Sequence, residues 1–459
     1  MGDAQRYGDP LSPERQAELR AHLDNAATPV AEGETRKPLF AGVRLSGADV
    51  AWLAAPLRNE HGATPDLHLE GADLRLAHLE GADLRFAHLE GVELWRARLE
   101  GALLYGAHLE DASLFETHLE GAGLFKAHLE GARLLRAYLD GVDLVEARLE
   151  GARLNEARLL SADLTRAHLE SKDFAPDDAD LARIRAINPT FPAALPPADL
   201  RHALLDSATL LRGATLTAPG TRVGPRLSDL HWTDVALGAL DWTPFTRDHA
   251  LLGDERAARA WRPHPYVALE APGETSPAKA RRAFRRTQRA EGVAAWASGA
   301  RANQRLAWAL RRQGLGGEAD YFAYRAQVMR RGALRRRRAW LRWLAAGWLG
   351  LTAGYGYRFG RALALYLAVI AVFSGVYLLA GAAAPQADVI TVTQSLHAPL
   401  QWYDALALSA ADFHGRGFFQ VPLRPGDPAT LLAVVESVIG LFIELGVVTA
   451  FARRYLIDR

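Results

Sequence analysis

Apolar positions in this chain follow three different periods, and each period implies a different element. From Leu69 to Leu169 every fifth residue is Leu without exception. The residue two places before each Leu is nearly always Ala (Ala72, Ala77, Ala82, Ala87), with Val92 and the polar Thr117 among the departures. A period of five fits neither the 3.6 residues of a helix nor the 2 of a strand. It fits a square coil in which each five-residue unit forms one side, with Leu and the small residue pointing inward. Four units then close a turn of about 20 residues, stacked at ~4.8 Å.

The units Gly71-Ala72-Asp73-Leu74-Arg75 and Ser161-Ala162-Asp163-Leu164-Thr165 carry a resemblance to the pentapeptide-repeat family. That resemblance implies a right-handed quadrilateral β-helix. Upstream, residues 1–37 read as a mobile leader with a short helix from Pro13 to His22. Leu39 to Val50 reads as a first coil with Val43, Leu45, Ala48 and Val50 inward, and Trp52 to Pro65 as an insertion. Asp177 to Pro197 breaks the ladder, with a short helix around Asp180 to Ala186 and a proline-rich turn. Weaker coils resume through Ala198-Asp199-Leu200, Ala208-Thr209-Leu210, Ala214-Thr215-Leu216 and then Leu230, Val235 and Leu240, with Trp242 to Pro272 as cap and linker.

From Ser276 to Arg312 the apolar spacing becomes helical, Gly314 to Gly317 interrupts it, and a second helix runs from Glu318 to about Arg331. Leu306, Ala307, Leu310, Ala319, Phe322 and Ala326 give this pair a similarity to one tetratricopeptide hairpin, which we read as packing. Arg335, Arg336, Arg337 and Arg338, interleaved with Trp340 and Trp343, then predict a helix lying on anionic lipid.

The third pattern is continuous apolarity. Ala362 to Ala384 holds no charged residue, and as a helix it would extend about 35 Å, enough for a ~30 Å hydrocarbon core. Leu431 to Ala452 is a second such run. Arginines flank the start of the first and the end of the second, which places both chain ends on the cytoplasmic side of an inner membrane. Between them, Tyr403 to Ala411 has helical character but is too short to span, and Phe413, His414, Gly415, Arg416, Gly417 and Phe418 follow as a loop. Ala405-Leu406-Ala407-Leu408-Ser409, the Gly-x-Gly, Val421-Pro422 and Glu436 to Phe442 resemble the potassium-channel-like ion channel family. The resemblance implies a two-helix module with a re-entrant pore loop and a tetramer around the axis. The filter residues depart from that family, with His414 and Arg416 in filter places, so potassium selectivity is not carried over. Anion passage, a gated non-selective pore and no conduction remain open. Within the second run Glu436 is placed to brace the loop, and Glu444, deeper, to line a pore or form an intersubunit bond.

Charge changes this picture little. The net charge is +1, and with 49% hydrophobic residues the chain of 459 residues is long enough for several domains. The absence of cysteine excludes disulfides, thiolate metal sites and a Cys nucleophile. No nucleophile–base constellation, phosphate loop or metal spacing stands out, so no catalytic residue and no cofactor are expected. Along the rod a His-Leu-Glu-Gly side recurs every ten residues, with Glu70 to Glu170 broken only by Asp140 and Leu160. Metal ligation by these histidines is the sharper reading. A solvated, mutually screening surface is the plainer one, and we place no metal there. Trp95, Tyr105, Phe115 and Phe125 should point outward as a partner surface. Acidic columns alternate with basic ones, so mimicry of DNA and binding of nucleic acid are not expected. The divisions expected are a leader at 1–37, the β-helix at 38–174, degenerate coils at 175–247, a linker at 248–275, a basic helical hairpin and interfacial helix at 276–348, and a two-helix channel-like membrane domain at 349–459. Lipid, a second copy of the chain and a docked protein are the expected partners.

Overall fold

The computed structural model describes residues 6–26, 38–57, 67–175, 178–218, 221–232, 235–263, 277–352, 354–357, 359–383, 402–414 and 428–452. It divides into two compact units, Met1–Ala333 and Leu334–Arg459.

The first unit is built on the rod that the period of five predicts. Parallel bridges join residues 20 apart, His68↔His88, Asp73↔Glu93, His78↔Arg98 and Asp83↔Leu103, and the same step repeats along the ladder. Each side contributes main-chain hydrogen bonds to the next coil, as in Leu69 N to His88 O and Gly71 N to Glu90 O. Each corner closes on itself, as in Ala72 N to Leu69 O. Two residues after each ladder Leu from Leu69 to Leu164 the backbone turns left-handed, with φ of +65° at Gly71 and Gly81 and +62° at Leu76 and Phe86. The Leu and Ala columns are fully buried. Thr117, the polar inward residue, donates its hydroxyl to Leu94 O of the coil below.

After Leu169 the chain leaves the rod as an excursion: β1 (Lys172–Asp173), α3 (Ala179–Ile187) and β2 (Ala194–Leu195), with β1 and β2 antiparallel. It then resumes the stack, since Arg153 bridges Asp199, Asp163 bridges Leu210 and His168 bridges Thr215. The coil goes on through β3 (Leu204–Leu205) and β4 (His231–Trp232). Here one expected register is off by a residue: Thr209 and Leu211 are buried, and Leu210 is exposed. The inserted loop shifts the phase, and Thr209 meets the cost of facing inward by donating to Leu159 O.

Both ends of the rod are capped. Ala48 and Val50 are buried as expected, but on α2 (Gly47–Ala54) rather than on a coil. Ser46 and Asp49 form a reciprocal capping box that starts this helix. The residues expected to form a mobile leader include α1 (Pro13–Ala26), whose Leu19 is fully buried and whose Arg15 holds Asp49 at 2.9 Å. At the other end, α4 (Thr243–Thr246) and α5 (Gly253–Ala260) lead into the hairpin of α6 (Pro277–Arg312) and α7 (Gly316–Arg336). Trp242, Phe245 and Phe322 stack as a cluster, Arg325 holds the buried Glu255, and Gln313 Oε1 accepts from Leu237 N.

The second unit contains α8 (Trp340–Thr352), α9 (Phe359–Ala383), α10 (Trp402–Phe413) and α11 (Pro428–Ala452). Buried Ile370, Phe413 and Ile443 form its core, one from each of α9, α10 and α11. The two membrane spans expected from the sequence are not found: among the described residues no helix is long and apolar enough to cross a membrane.

Candidate functional site

The square section sorts outward side chains into columns by a step of 20 residues, and the chemistry of each column follows from its stacking. On one face, His68, His88, His108, His128, Arg148 and His168 alternate with Glu70, Glu90, Glu110, Glu130, Glu150 and Glu170. The rings stack, with centroids 4.6 Å apart for His68–His88, 4.9 Å for His88–His108 and 4.5 Å for His108–His128. Nδ1 faces its own acid at 3.2 Å for both His88–Glu90 and His108–Glu110, while His128 Nδ1 lies between Glu110 and Glu130 at 3.7 and 3.9 Å.

This face is not the solvated surface that the sequence led us to expect, because the excursion lies across it. Ile187 sits against the Cα of Gly91, where an added Cβ would be only 2.8 Å from its Cγ2. Asn188 Nδ2 donates to Asp111 and Lys172 Nζ reaches Glu130 at 2.9 Å. Glu90, Glu110 and Glu130 are each only 1% exposed. Burial raises the Glu110 carboxyl to about 7, with the Glu130 and Glu90 charges adding to the rise and the His108 hydrogen bond opposing it. Burial and the charge of Glu130 likewise raise Glu150 to about 7. The opposite face, with His78, Arg98, His118 and Tyr138 beside Glu80, Glu100, Glu120 and Asp140, is more open, and His118 and Tyr138 stack at 4.4 Å.

The expected aromatic surface exists as two columns on different faces. Trp95 and Phe115 pack edge to face at 6.1 Å on one, and Tyr105 and Phe125 at 6.4 Å on the other. Arg96 lies over Trp95 and Lys126 over Phe125. Trp95 is the most exposed of the four at 39%, and the sequence reading missed Phe86 and Leu76, which are more exposed still. Those two occupy left-handed corners, where a large side chain has no inward route.

In the second unit, Arg335 and Arg336 end α7, and Arg338 turns the chain with φ of +59° into α8, where Trp340 and Trp343 meet edge to face. Phe413, expected in a loop, is fully buried at the end of α10, and Gly440 approaches its carbonyl so closely that a Cβ would lie 2.0 Å from the oxygen. His414 lies 3.5 Å from Glu444 and 3.2 Å from the Tyr366 hydroxyl. Glu436 is buried and accepts from Ser409 of α10. Gly415, Arg416, Gly417 and Phe418 lie outside the described residues.

The ladder, its square corners and its buried Leu and Ala columns define a quadrilateral β-helix. Residues 67–96, 93–131 and 132–170 match the family model described as pentapeptide repeats, so this part of the chain is a pentapeptide-repeat rod. Among solved structures, the chain is similar to the pentapeptide repeat protein Rfr23 of the cyanobacterium Cyanothece 51142, with 28% identity over 26% of this chain and 63% of that one, at a TM-score of 0.20. This chain thus spans less than two thirds of that protein. HetL of Nostoc, a pentapeptide repeat protein involved in heterocyst differentiation regulation, is 27% identical over 37% of this chain and 75% of its own, with a TM-score of 0.19. QnrB1, a plasmid-mediated fluoroquinolone resistance protein, is 16% identical over 37% of this chain and 74% of its own, with a TM-score of 0.16. Comparison with curated proteins gives no match.

Proposed function

We propose that this chain is a membrane-anchored interaction scaffold, in which the pentapeptide rod offers its outward columns to a protein partner and Leu334–Arg459 beds in a lipid bilayer. The observation that carries the proposal is the apolar surface of the second unit. On α8, Leu341 (84%), Leu344, Trp348 and Leu351 are exposed at helical spacing along one face. Leu363 and Leu367 on α9 and Val434, Val438, Leu441, Leu445 and Val448 on α11 are exposed as well. Contiguous apolar surface on this scale is rare in water and calls for lipid or a partner. The arginines just before α8 suit anionic headgroups. Flotation with liposomes containing anionic lipid tests the anchor. The full chain should float with the vesicles and stay with them after an alkaline wash, while the L341K/L344K variant should be released at least tenfold more readily. A chain that remains in the aqueous fraction contradicts it.

A second reading, a pore, is favoured by the seating of α10 between α9 and α11. Phe413 packs with Ile370 and Ile443, Ser409 donates to Glu436, and Ser437 donates to Asp412 O. A short helix held between two longer ones is the layout of a two-helix pore module, and such a pore needs several copies of the chain. Purified oligomer in planar bilayers should then pass current that Arg416→Ala alters. Silence from a verified tetramer leaves the anchored scaffold.

A further inference from the structure

The buried His–Glu ladder does not carry one uniform pattern of charge partners. Glu130 is held by Lys172 at 2.9 Å and by Arg148 at 3.1 Å, and Glu90 has Arg183 at 3.9 Å. Glu170 accepts from the Thr215 hydroxyl. Glu110, midway, has neither Lys nor Arg as a partner among the described residues. Its Oε1 lies 3.2 Å from His108 Nδ1 and 3.7 Å from His128 Nδ1, which also meets Arg148 Nη1 at 3.5 Å, and its Oε2 is buried with no hydrogen-bond partner. At 1% exposure water does not compensate this charge.

We propose that His108, Glu110 and His128 form a binding site for a divalent transition-metal ion of the zinc class. The ligand atoms of these three residues all lie within 4.8 Å of one another. Donors bound tetrahedrally at ~2.0–2.1 Å stand about 3.3 Å apart, close to both His–Glu separations here. Two imidazoles and one carboxylate are an established ligand set for zinc, with water in the fourth place. A divalent ion takes neutral imidazoles and an ionised carboxylate together.

Of the other groups, His68, Glu70 and His88 include an exposed histidine, and in Glu150, His168 and Glu170 the Thr215 hydroxyl already donates to Glu170. His88, Glu90 and His108 would compete for the same His108 Nδ1, and Arg183 already faces Glu90. Glu100, His118 and Glu120 lie on the open face and serve as an internal control.

The test uses the full chain, freed of metal by a chelator and dialysed, and titrated with zinc chloride and, separately, with cobalt chloride. The expected result is one tightly bound ion per chain, visible absorption from four-coordinate cobalt, and a higher melting temperature with zinc. Glu110→Gln keeps the shape and removes the ligand charge, so it should weaken binding at least tenfold while retaining the β-helix spectrum. His118→Gln should bind as the parent does. No bound ion in the parent chain, unchanged binding in Glu110→Gln, or loss of binding in His118→Gln overturns the site. Should Glu110→Gln fail to fold, His128→Asn provides the same comparison.

Discussion

Gly81 and Gly131 have nearly the same left-handed backbone, with φ of +65° and +73°, but not the same surroundings. A Cβ on Gly81 meets nothing within 4 Å, whereas one on Gly131 would lie 2.8 Å from the Phe191 ring of the excursion. Gly81→Ala should therefore cost only the conformational penalty, about 1 kcal/mol, and Gly131→Ala clearly more, as read by denaturant unfolding. Asp49 offers a test by pH. Burial pushes its carboxyl up, but the hydrogen bonds from Arg15 and Ser46 outweigh this and hold it below the ordinary value. A carboxylate lowered by folding contributes stability that is present above its unfolded pKa and lost as the pH falls through the folded one. The parent should thus lose stability on acidification faster than Asp49→Asn, which lacks this contribution throughout. Parallel acid titrations followed by far-UV dichroism check it. At this scale the sequence was readable wherever the period held. Ala72 and Leu74 could be placed inward by counting, but Thr209 and Leu211 could not, because one extra loop residue changes the phase and leaves no compositional trace.

The rod is stabilised by stacking, so each inward Leu matters to the coils above and below it. Leu124→Ala removes a fully buried side chain in mid-ladder and should cost about 3 kcal/mol. The excursion acts differently: it buries acids that the rod alone would leave in water, at a desolvation cost that Lys172 offsets by pairing with Glu130. Lys172→Met removes one of the two cations on Glu130 and should cost roughly 1–3 kcal/mol. Arg96→Met breaks an exposed pair with Glu116 and the contact over the exposed Trp95 ring, and should cost about 1 kcal/mol or less. Comparing thermal melts of the two variants separates a covered face from an open one. The helix in the excursion was legible from its break signals and helical residues. The face it covers was not, since Ile187 meeting Gly91 depends on how the chain returns to the rod. That choice buries the acids of an apparently solvated His and Glu column, and Glu110 is singled out among the histidines already weighed as metal ligands only once the cover is in place. The N-terminal cap misled in a related way: Ala48 and Val50 are inward on either a coil or a helix, and only the Ser46–Asp49 box distinguishes them.

Taken whole, the chain joins a rod whose Leu and Ala columns face inward to a helical unit with many apolar residues facing out. The rod accounts for its own hydrophobic surface through Leu and Ala columns and capped ends. The second unit buries Ile370, Phe413 and Ile443 and leaves Leu367, Val438 and Leu441 exposed. The sequence foresaw the helix–short helix–helix order there from its apolar runs, while the burial of Phe413 under Gly440 required the packing of α10 to be seen. Bedding in lipid is the central claim, and the chain's lack of cysteine makes it directly measurable. Nitroxide labels attached to single cysteines at Leu367, Val438 and Leu441 of vesicle-reconstituted protein report collisions with oxygen, which concentrates in lipid, and with a water-soluble nickel chelate. Lipid contact predicts frequent oxygen collisions and few with nickel at these positions, against the reverse at Leu76 on the rod. Nickel collisions at Val438 and Leu441 as frequent as those at Leu76 would contradict it.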